Sequence, residues 1–425
     1  MLKRFIPLSI KRKLKAFQIQ IQIKKVKNAH AHALISVRTH QPIKVAFFLV
    51  LESIWKYEHL YFLLKNDSRF QPIVFVCPFV TYGEENMQIE MKRAYDSFIQ
   101  KGYEVQTTQL KNGSWLDVKE SFQPDIVFFT SPWKISLNQY YIHHYLDTLS
   151  CYVPYGFNSC DLYQTHYNED MQNFCWKYFV ETDFHQQLAR KYSLRKGDNT
   201  VVTGFPGIDN LMDKSYVPQQ VWKPQTKLKK HIIWAPHHTL PEKDNMLDYA
   251  TFLTYADLFW QLTEKFKDEV QFCFKPHPNL RVKLNKPEVW GKEKTDTYFK
   301  QWEEGENTQL NEGDYIDLFL GSDAMIHDSG SFVLEYFATE KPVMFLVNNE
   351  KSFQQFNQLG KEALQNMYLG YNQEDIIHFI EHVVVQGNDE FMLKRRKFQR
   401  EVLAPGNTRL ASENIYQILC EELKG

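Results

Sequence analysis

Short apolar runs alternate with helical stretches along most of this chain, and that alternation constrains the fold more than any other feature. From residue 43 the runs are IKVAFFLVLE (43–52), PIVFVCP (72–78), YEVQT (103–107), PDIVFFTSP (124–132), CYVPYGF (151–157), KYFVET (177–182) and TVVTGFPG (200–207). Continuous apolar runs are expected of parallel strands buried on both faces, and strands separated by helices fold as a doubly wound α/β sandwich. The segment DKSYVPQQVWKPQTKLKK (213–230) has two prolines and no clear period, so it reads as a linker. The alternation then restarts with HIIWAP (231–236), a helix near 249–266, VQFCFKPHP (270–278), DAMIHDS (323–329) and PVMFLV (342–347), and a last helix is predicted at 408–423. The predicted organisation is a basic segment 1–40, a Rossmann-like domain 41–215, a linker 216–230 and a second Rossmann-like domain 231–425, with a cleft between two αβα layers.

Composition narrows the function classes. The 425 residues are 43% hydrophobic and 15% aromatic, enough for two packed cores and unlike a disordered chain. A formal net charge of −1 gives no global field for nucleic acid. Six cysteines without a CxxC pair read as reduced thiols of a cytoplasmic protein, with no metal site. No apolar run reaches the ~18–20 residues of a membrane span, and no signal peptide is recognisable.

The charge is uneven, however. The first 38 residues hold ten Lys or Arg and no acid, Glu52 being the first carboxylate. Ile10, Leu14, Phe17 and Ile21 fall on one helical stripe among Lys11, Arg12, Lys13 and Lys15. Such a segment is either a leader helix on its own domain or a peripheral anchor on an anionic inner leaflet, where each cation contributes about 1 kcal/mol. QIQIQI alternates with period two, so helix and strand both stay open beyond Phe17.

Ligands of open α/β sheets bind at the carboxyl ends of strands. Three strand ends of the second half carry unusual residues: His237-His238-Thr239, Lys275-Pro276-His277-Pro278-Asn279, and His327-Asp328-Ser329-Gly330-Ser331. Ends of one sheet share one edge, so these loops are expected to converge. A lysine, histidines, hydroxyls and the N–H groups of a helix starting near Ser331 suit an anion of more than one charge, above all a pyrophosphate. Gly330 would let a phosphate approach the backbone. Each piece has a plainer reading: Ser331 as a helix cap, His277 in a rigid turn, Glu335 as a first-turn acid, and one core and one exposed histidine at 237–238. In the first half, CYVPYGFNSCD (151–161) and TGFPGIDN (203–210) are turn-rich, which makes Tyr155, Asn158, Ser159, Asp161 and Asp209 candidates on the acceptor side.

KPHP (275–278) followed by DYIDLFLGSDAMIHDSGSFVLEYFATEKPVMFL (314–346) resembles the C-terminal half of the CDP-glycerol glycerophosphotransferase family, the GT-B enzymes of teichoic acid and capsule synthesis. WAPHHT (234–239) and GFPGID (204–209, with Gly204 and Pro206) are similar to weaker blocks. GT-B sialyl- and Kdo transferases share a related His-Pro and Ser-rich pair more loosely. The resemblance implies a GT-B fold and a cytidine nucleotide donor, with His277 and Ser329 or Ser331 on its phosphates; Lys275 and Pro278 stand beside His277 among the nucleotide-binding candidates. By analogy with other GT-B enzymes, Glu335 would reach the ribose; no metal or other cofactor is implied. The family's Trp-His-Gly block, whose histidine is a proposed base, is not matched. VPYGFNS places Tyr155 there, and a phenol near its ordinary pKa of about 10 is a poor base at neutrality. His237, His238, His277 and Asp161 are the remaining catalytic candidates. The expected activity is transfer of glycerol phosphate, or a related polyol phosphate, from a CDP donor to a glycan or lipid-linked acceptor. A GT-B glycosyltransferase using a CMP- or UDP-sugar is the alternative, and a non-catalytic binding protein on a GT-B fold the lesser one.

Overall fold

The computed structural model describes residues 8–240, 247–403 and 409–424, with side chains from residue 13. Among the described residues thirteen strands carry the sheets. In the first unit these are β1 (Ile43–Leu49), β2 (Phe70–Val76), β3 (Val105–Thr107), β4 (Ile126–Phe129), β5 (Leu149–Tyr152), β6 (Lys177–Val180) and β7 (Thr200–Val202). In the second they are β8 (Lys230–Ala235), β9 (Val270–Phe274), β10 (Thr308–Leu310), β11 (Ala324–His327), β12 (Val343–Leu346) and β13 (Tyr368–Gly370). The sheet orders are β3-β2-β1-β4-β5-β6-β7 and β10-β9-β8-β11-β12-β13, and every pairing is parallel.

The apolar runs became strands for the reason given by their composition: β4, β5, β9, β11 and β12 are buried at every residue. Two edge strands, β10 and β13, escaped the sequence reading. Each has three residues, as do β3 and β7, but neither β10 nor β13 falls within one of the runs read above. In the second unit fully buried Trp234 stacks against Phe252, Phe259 and Phe274, with ring centroids 5.6, 4.2 and 5.0 Å away. That aromatic stack fixes one face of the sheet and pins β8 and β9 to helix Phe252–Lys265.

The compact units differ from the predicted domains at three places. The first unit comprises Met1–Tyr155, Leu162–Gly207 and Arg409–Gly425; the second comprises Gly156–Asp161 and Ile208–Thr408. The last helix, Ala411–Glu422, therefore belongs to the first unit. There Asn414 donates to the Thr203 carbonyl and Tyr416 to Asp67, at 3.0 and 2.7 Å. Gly204 (φ 89°) lies under this helix, where a Cβ would come 3.1 Å from that of Ala411. The supposed linker also packs: Trp222 is buried, donates to the Leu318 carbonyl at 3.3 Å and stacks on His231 at 4.2 Å. A proline-broken segment has no period of its own, and one large aromatic suffices to dock it.

The N-terminal helix runs over Leu8–Val37, through the QIQIQI stretch. Ile23, Val26 and His30 are buried along one stripe of it, so packing against the first unit decides for helix. The sequence stripe faces the other way. Leu14, Phe17 and Ile21 are 49%, 60% and 44% exposed, while the side chains of Ile10, Lys11 and Arg12 lie outside the described residues. Among the described residues no helix is long and apolar enough to cross a membrane.

Candidate functional site: three strand ends of the second sheet

Strand order reverses between β8 and β11, with β9 and β10 on one side and β12 and β13 on the other. A crevice forms at such a switch point, because the connections leave in opposite directions. The ends of β9, β8 and β11 are adjacent in the sheet, so the three predicted loops meet there.

Backbone hydrogen bonds stitch them together. Lys275 N–H donates to the Trp234 carbonyl at 2.8 Å and His277 N–H to the Pro236 carbonyl at 3.0 Å. Asp328 is the central tie. One of its carboxylate oxygens accepts from His237 N–H; the other accepts from the N–H and the hydroxyl of Thr251, at 2.6 and 2.7 Å. Asp328 is fully buried, and burial pushes its carboxyl up to about 6 against those hydrogen bonds. It holds the loops and has no face left for a phosphate, a correction to its expected ligand role. Thr239 is likewise inward: its hydroxyl oxygen accepts from Tyr249 and Ala250 N–H at 3.0 and 3.1 Å and lies 3.1 Å from His237 Nδ1.

The imidazoles converge as expected. Ring centroids are 4.4 Å apart for His237 and His238, 4.1 Å for His238 and His277, and 5.0 Å for His237 and His277. Each of the three offers a ring nitrogen within 4.8 Å of the others, close enough to share one ligand. His237 and His277 are held well below the ordinary histidine value, first by burial and then by neighbouring histidines and Lys283. His277 Nδ1 accepts from Asn279 N–H at 3.1 Å, and Pro278 opens helix Pro278–Leu284. His327 ends β11, fully buried beside Phe332 and Phe345. Burial lowers it to about 3, and its Nδ1 accepts from Ser329 N–H at 3.2 Å.

The turn at 328–331 departs from expectation in two respects. Ser331 does not cap the helix: its own backbone is helical, and its hydroxyl lies 3.3 Å from that of Ser329. The helix it precedes, Phe332–Glu335, is a single turn, so it carries little of a macrodipole. Gly330 is not open to a ligand either, since a Cβ there would lie 3.1 Å from Cys160 Sγ and 3.2 Å from the Tyr249 ring. The space belongs to the segment Gly156–Asp161, which is counted with this unit.

That segment was expected on the acceptor side. Instead, buried Ser159 donates to the Gly330 carbonyl, Asn357 donates through its side chain to the Asn158 carbonyl at 2.8 Å, and Asp161 N–H reaches the Gln355 carbonyl at 2.9 Å. The Asp161 side chain is exposed. Glu335, expected at a ribose, is buried; it accepts from Tyr315 OH and, at 3.3 Å, from Phe157 N–H. Lys275 is buried too, donating to Asn311 Oδ1 and the Gly313 carbonyl at 2.8 Å each, with its ammonium 5.7 Å from the Tyr315 ring centroid. Asp209 heads the short helix Asp209–Met212 in the second unit. Tyr155, Gly204 and Pro206 belong to the first unit, where the Tyr155 hydroxyl oxygen accepts from Trp133 Nε1–H at 3.2 Å. Sequence reading missed Tyr249, Thr251, Asn311 and Tyr315. Thr251, a hydroxyl residue immediately before helix Phe252–Lys265, and Tyr315, within the stretch 314–346, offered a signal.

The family described as CDP-glycerol:poly(glycerophosphate) glycerophosphotransferase matches residues 157–421 of this sequence. The chain belongs to that family. It is accordingly an enzyme of glycerophosphate transfer from CDP-glycerol, which decides against the sugar-transferase and non-catalytic readings. The matched stretch opens at Phe157, just past Tyr155, so the unmatched Trp-His-Gly position lies outside it. No curated protein matches the sequence. Among solved structures, the wall teichoic acid polymerase TagF is similar at 13% identity and TM-score 0.59, covering 98% of each chain. A putative UDP-N-acetylglucosamine 2-epimerase from Listeria monocytogenes has 17% identity and TM-score 0.56, covering 91% of this chain and 97% of its own. The UDP-GlcNAc 2-epimerase of Neisseria meningitidis has 16% identity and TM-score 0.53, covering 89% and 100%. At such identities the likeness establishes the GT-B-type fold of two parallel-sheet α/β units.

Proposed function

We propose that this glycerophosphotransferase binds the pyrophosphate of CDP-glycerol at the ends of β8, β9 and β11 and passes glycerol phosphate to a glycan or lipid-linked acceptor in surface-polymer synthesis. The observation that carries the proposal is the convergence of His237, His238 and His277 at the switch point, with centroids 4.1–5.0 Å apart; the Ser329 and Ser331 hydroxyls stand on the turn after the neighbouring strand β11. In the reaction an acceptor hydroxyl attacks the β-phosphorus in line. A new P–O bond forms, the bond to the bridging oxygen breaks, and CMP leaves with the electron pair. Histidine and hydroxyl donors stabilise the charge gathering on the departing phosphate. The acceptor's proton goes to Asp161, the exposed carboxylate on the segment packed against Gly330. Fixed donors perform the charge neutralisation, so the reading calls for no metal or other cofactor.

A second part of the proposal concerns the basic helix. Exposed Leu14, Phe17 and Ile21 beside Lys13, Lys15, Lys24 and Lys25 suit a peripheral site on an anionic inner membrane face, where a cytoplasmic enzyme would meet a lipid-linked acceptor.

Thermal stabilisation by CDP-glycerol, CMP-sialic acid and UDP-GlcNAc, each added alone, tests the donor site. CDP-glycerol is expected to raise the midpoint at concentrations where UDP-GlcNAc does not. Absence of stabilisation by either cytidine nucleotide refutes the assignment.

A further inference from the structure

The hydroxyl of Thr239 has two lone pairs and one hydrogen. Backbone N–H groups of Tyr249 and Ala250, at 3.0 and 3.1 Å, take both lone pairs. The remaining hydrogen points to His237 Nδ1, 3.1 Å away, so that nitrogen accepts and carries no proton. Its ring proton therefore sits on Nε2. The same count holds for His277, whose Nδ1 lies 3.1 Å from the N–H of Asn279, a group that can only donate. Protonating either Nδ1 would set two donors against each other.

We propose that His237 and His277 meet the substrate as neutral imidazoles, each presenting Nε2–H to the pyrophosphate, and that Thr239 is the positioning residue that sets the tautomer of His237. This rests on the reading of the cluster as the phosphate site. The arrangement has chemical consequences. A nitrogen that already carries its proton cannot act as a base, so neither ring removes the acceptor's proton through Nε2. Nor can it bind a cation without losing that proton, and the usual second-sphere pattern of a metal-bound histidine, with the far nitrogen donating, is reversed here. Both rings feel the positive charge of Lys283, and His277 also that of Lys275, which favours an anion. Burial acts in the same direction, holding both rings in the neutral form.

Long-range nitrogen–proton correlation spectra of the full-length, ligand-free protein at neutral pH test the assignment directly, with His237→Asn and His277→Asn identifying the signals. Both histidines are expected to give the Nε2–H pattern; an Nδ1–H pattern or a doubly protonated ring for either one overturns the proposal. Thr239→Val keeps the volume and removes the hydroxyl. It is expected to convert His237 to the other tautomer or to exchange between the two, to leave His277 unchanged, and to weaken CDP-glycerol binding about 10-fold, the loss of one hydrogen bond to a charged group. Thr239→Ser is expected to keep the wild-type pattern and affinity. A His237 pattern unmoved in Thr239→Val, or moved in Thr239→Ser, removes the role given to Thr239. Should Thr239→Val not fold, the wild-type and Thr239→Ser spectra still decide. The spectra need no ligand, so a wild-type chain that shows the tautomers yet fails to bind CDP-glycerol refutes the phosphate reading alone.

Discussion

At Asp328 a single carboxylate fastens the loop after β8 to the start of the helix after it, through His237 and Thr251. Replacing it by Asn sets an amide N–H₂ against at least one of those donors. A buried donor left without its acceptor costs about 1–3 kcal/mol, and here a charge-assisted bond goes with it. Asp328→Asn is therefore expected to destabilise the second unit by ~2–4 kcal/mol, read from urea unfolding followed by the fluorescence of buried Trp234. Unchanged stability would mean that the loops hold without the tie. The tie was not visible in the sequence. A motif such as His-Asp-Ser-Gly-Ser announces chemistry, and its position after a strand indicates the sheet edge, yet nothing local separates a carboxylate aimed at ligand from one aimed at backbone. The same holds for Glu335 and Lys275. Their residue types and neighbourhood were legible, but their partners, Tyr315 and Asn311, follow β10, a strand that no apolar run marks.

Among the elements, buried apolar strands could be read because burial on both faces leaves an unbroken run. The two helices at the chain ends could not be assigned as easily. An amphipathic pattern gives a helix its apolar face and says nothing about which sheet covers it, and so Ala411–Glu422 was credited to the wrong unit. Helix Leu8–Val37 has two unlike faces: Ile23, Val26 and His30 pack inward, whereas Leu14, Phe17 and Ile21 remain exposed among lysines. If the outer face meets an anionic bilayer, Phe17→Glu both removes an inserted ring and adds repulsion. Cosedimentation with phosphatidylglycerol vesicles is expected to fall at least 10-fold in affinity, given ~1 kcal/mol per interfacial charge and a similar or larger contribution from the ring. Neutral phosphatidylcholine vesicles should bind wild type and variant equally weakly. Equal binding of both proteins to the anionic vesicles would dismiss the anchor. Because the inner stripe is untouched, the substitution leaves the fold in place.

For the whole chain, the buried histidines set how the fold responds to acid. Burial holds His30 and His327 near 3 and His166 near 4, and keeps His237 and His277 well below their ordinary value. A lowered folded pKa contributes stability that is present above the unfolded value of about 6.5 and is lost as pH falls toward the folded one. Asp328 has the opposite sign: raised to about 6, it lends stability at low pH that disappears as pH rises through 6. In the second unit three histidines oppose one carboxyl, leaving a net slope near two protons around pH 5. In the first unit His30 and His166 act together, and Glu169, raised by burial, subtracts part of one proton. Carboxylates held low by cationic or hydrogen-bonded partners, Asp67 at about 2 among them, enter only below about 4. Each proton of slope is worth ~1.4 kcal/mol per pH unit, so the second unit is expected to lose about 3 kcal/mol per unit near pH 5, a large share of the ~5–15 kcal/mol that holds a domain. Urea midpoints measured from pH 7.5 down to 4.5 should be flat at first and then drop steeply below pH 6.5. His30→Leu places an apolar side chain on the buried face of the N-terminal helix and removes one protonatable ring, so it should take about one proton from the slope of the first unit and none from the second. A midpoint that stays level to pH 5 would show that these rings are reached by water and protonate freely in the folded chain.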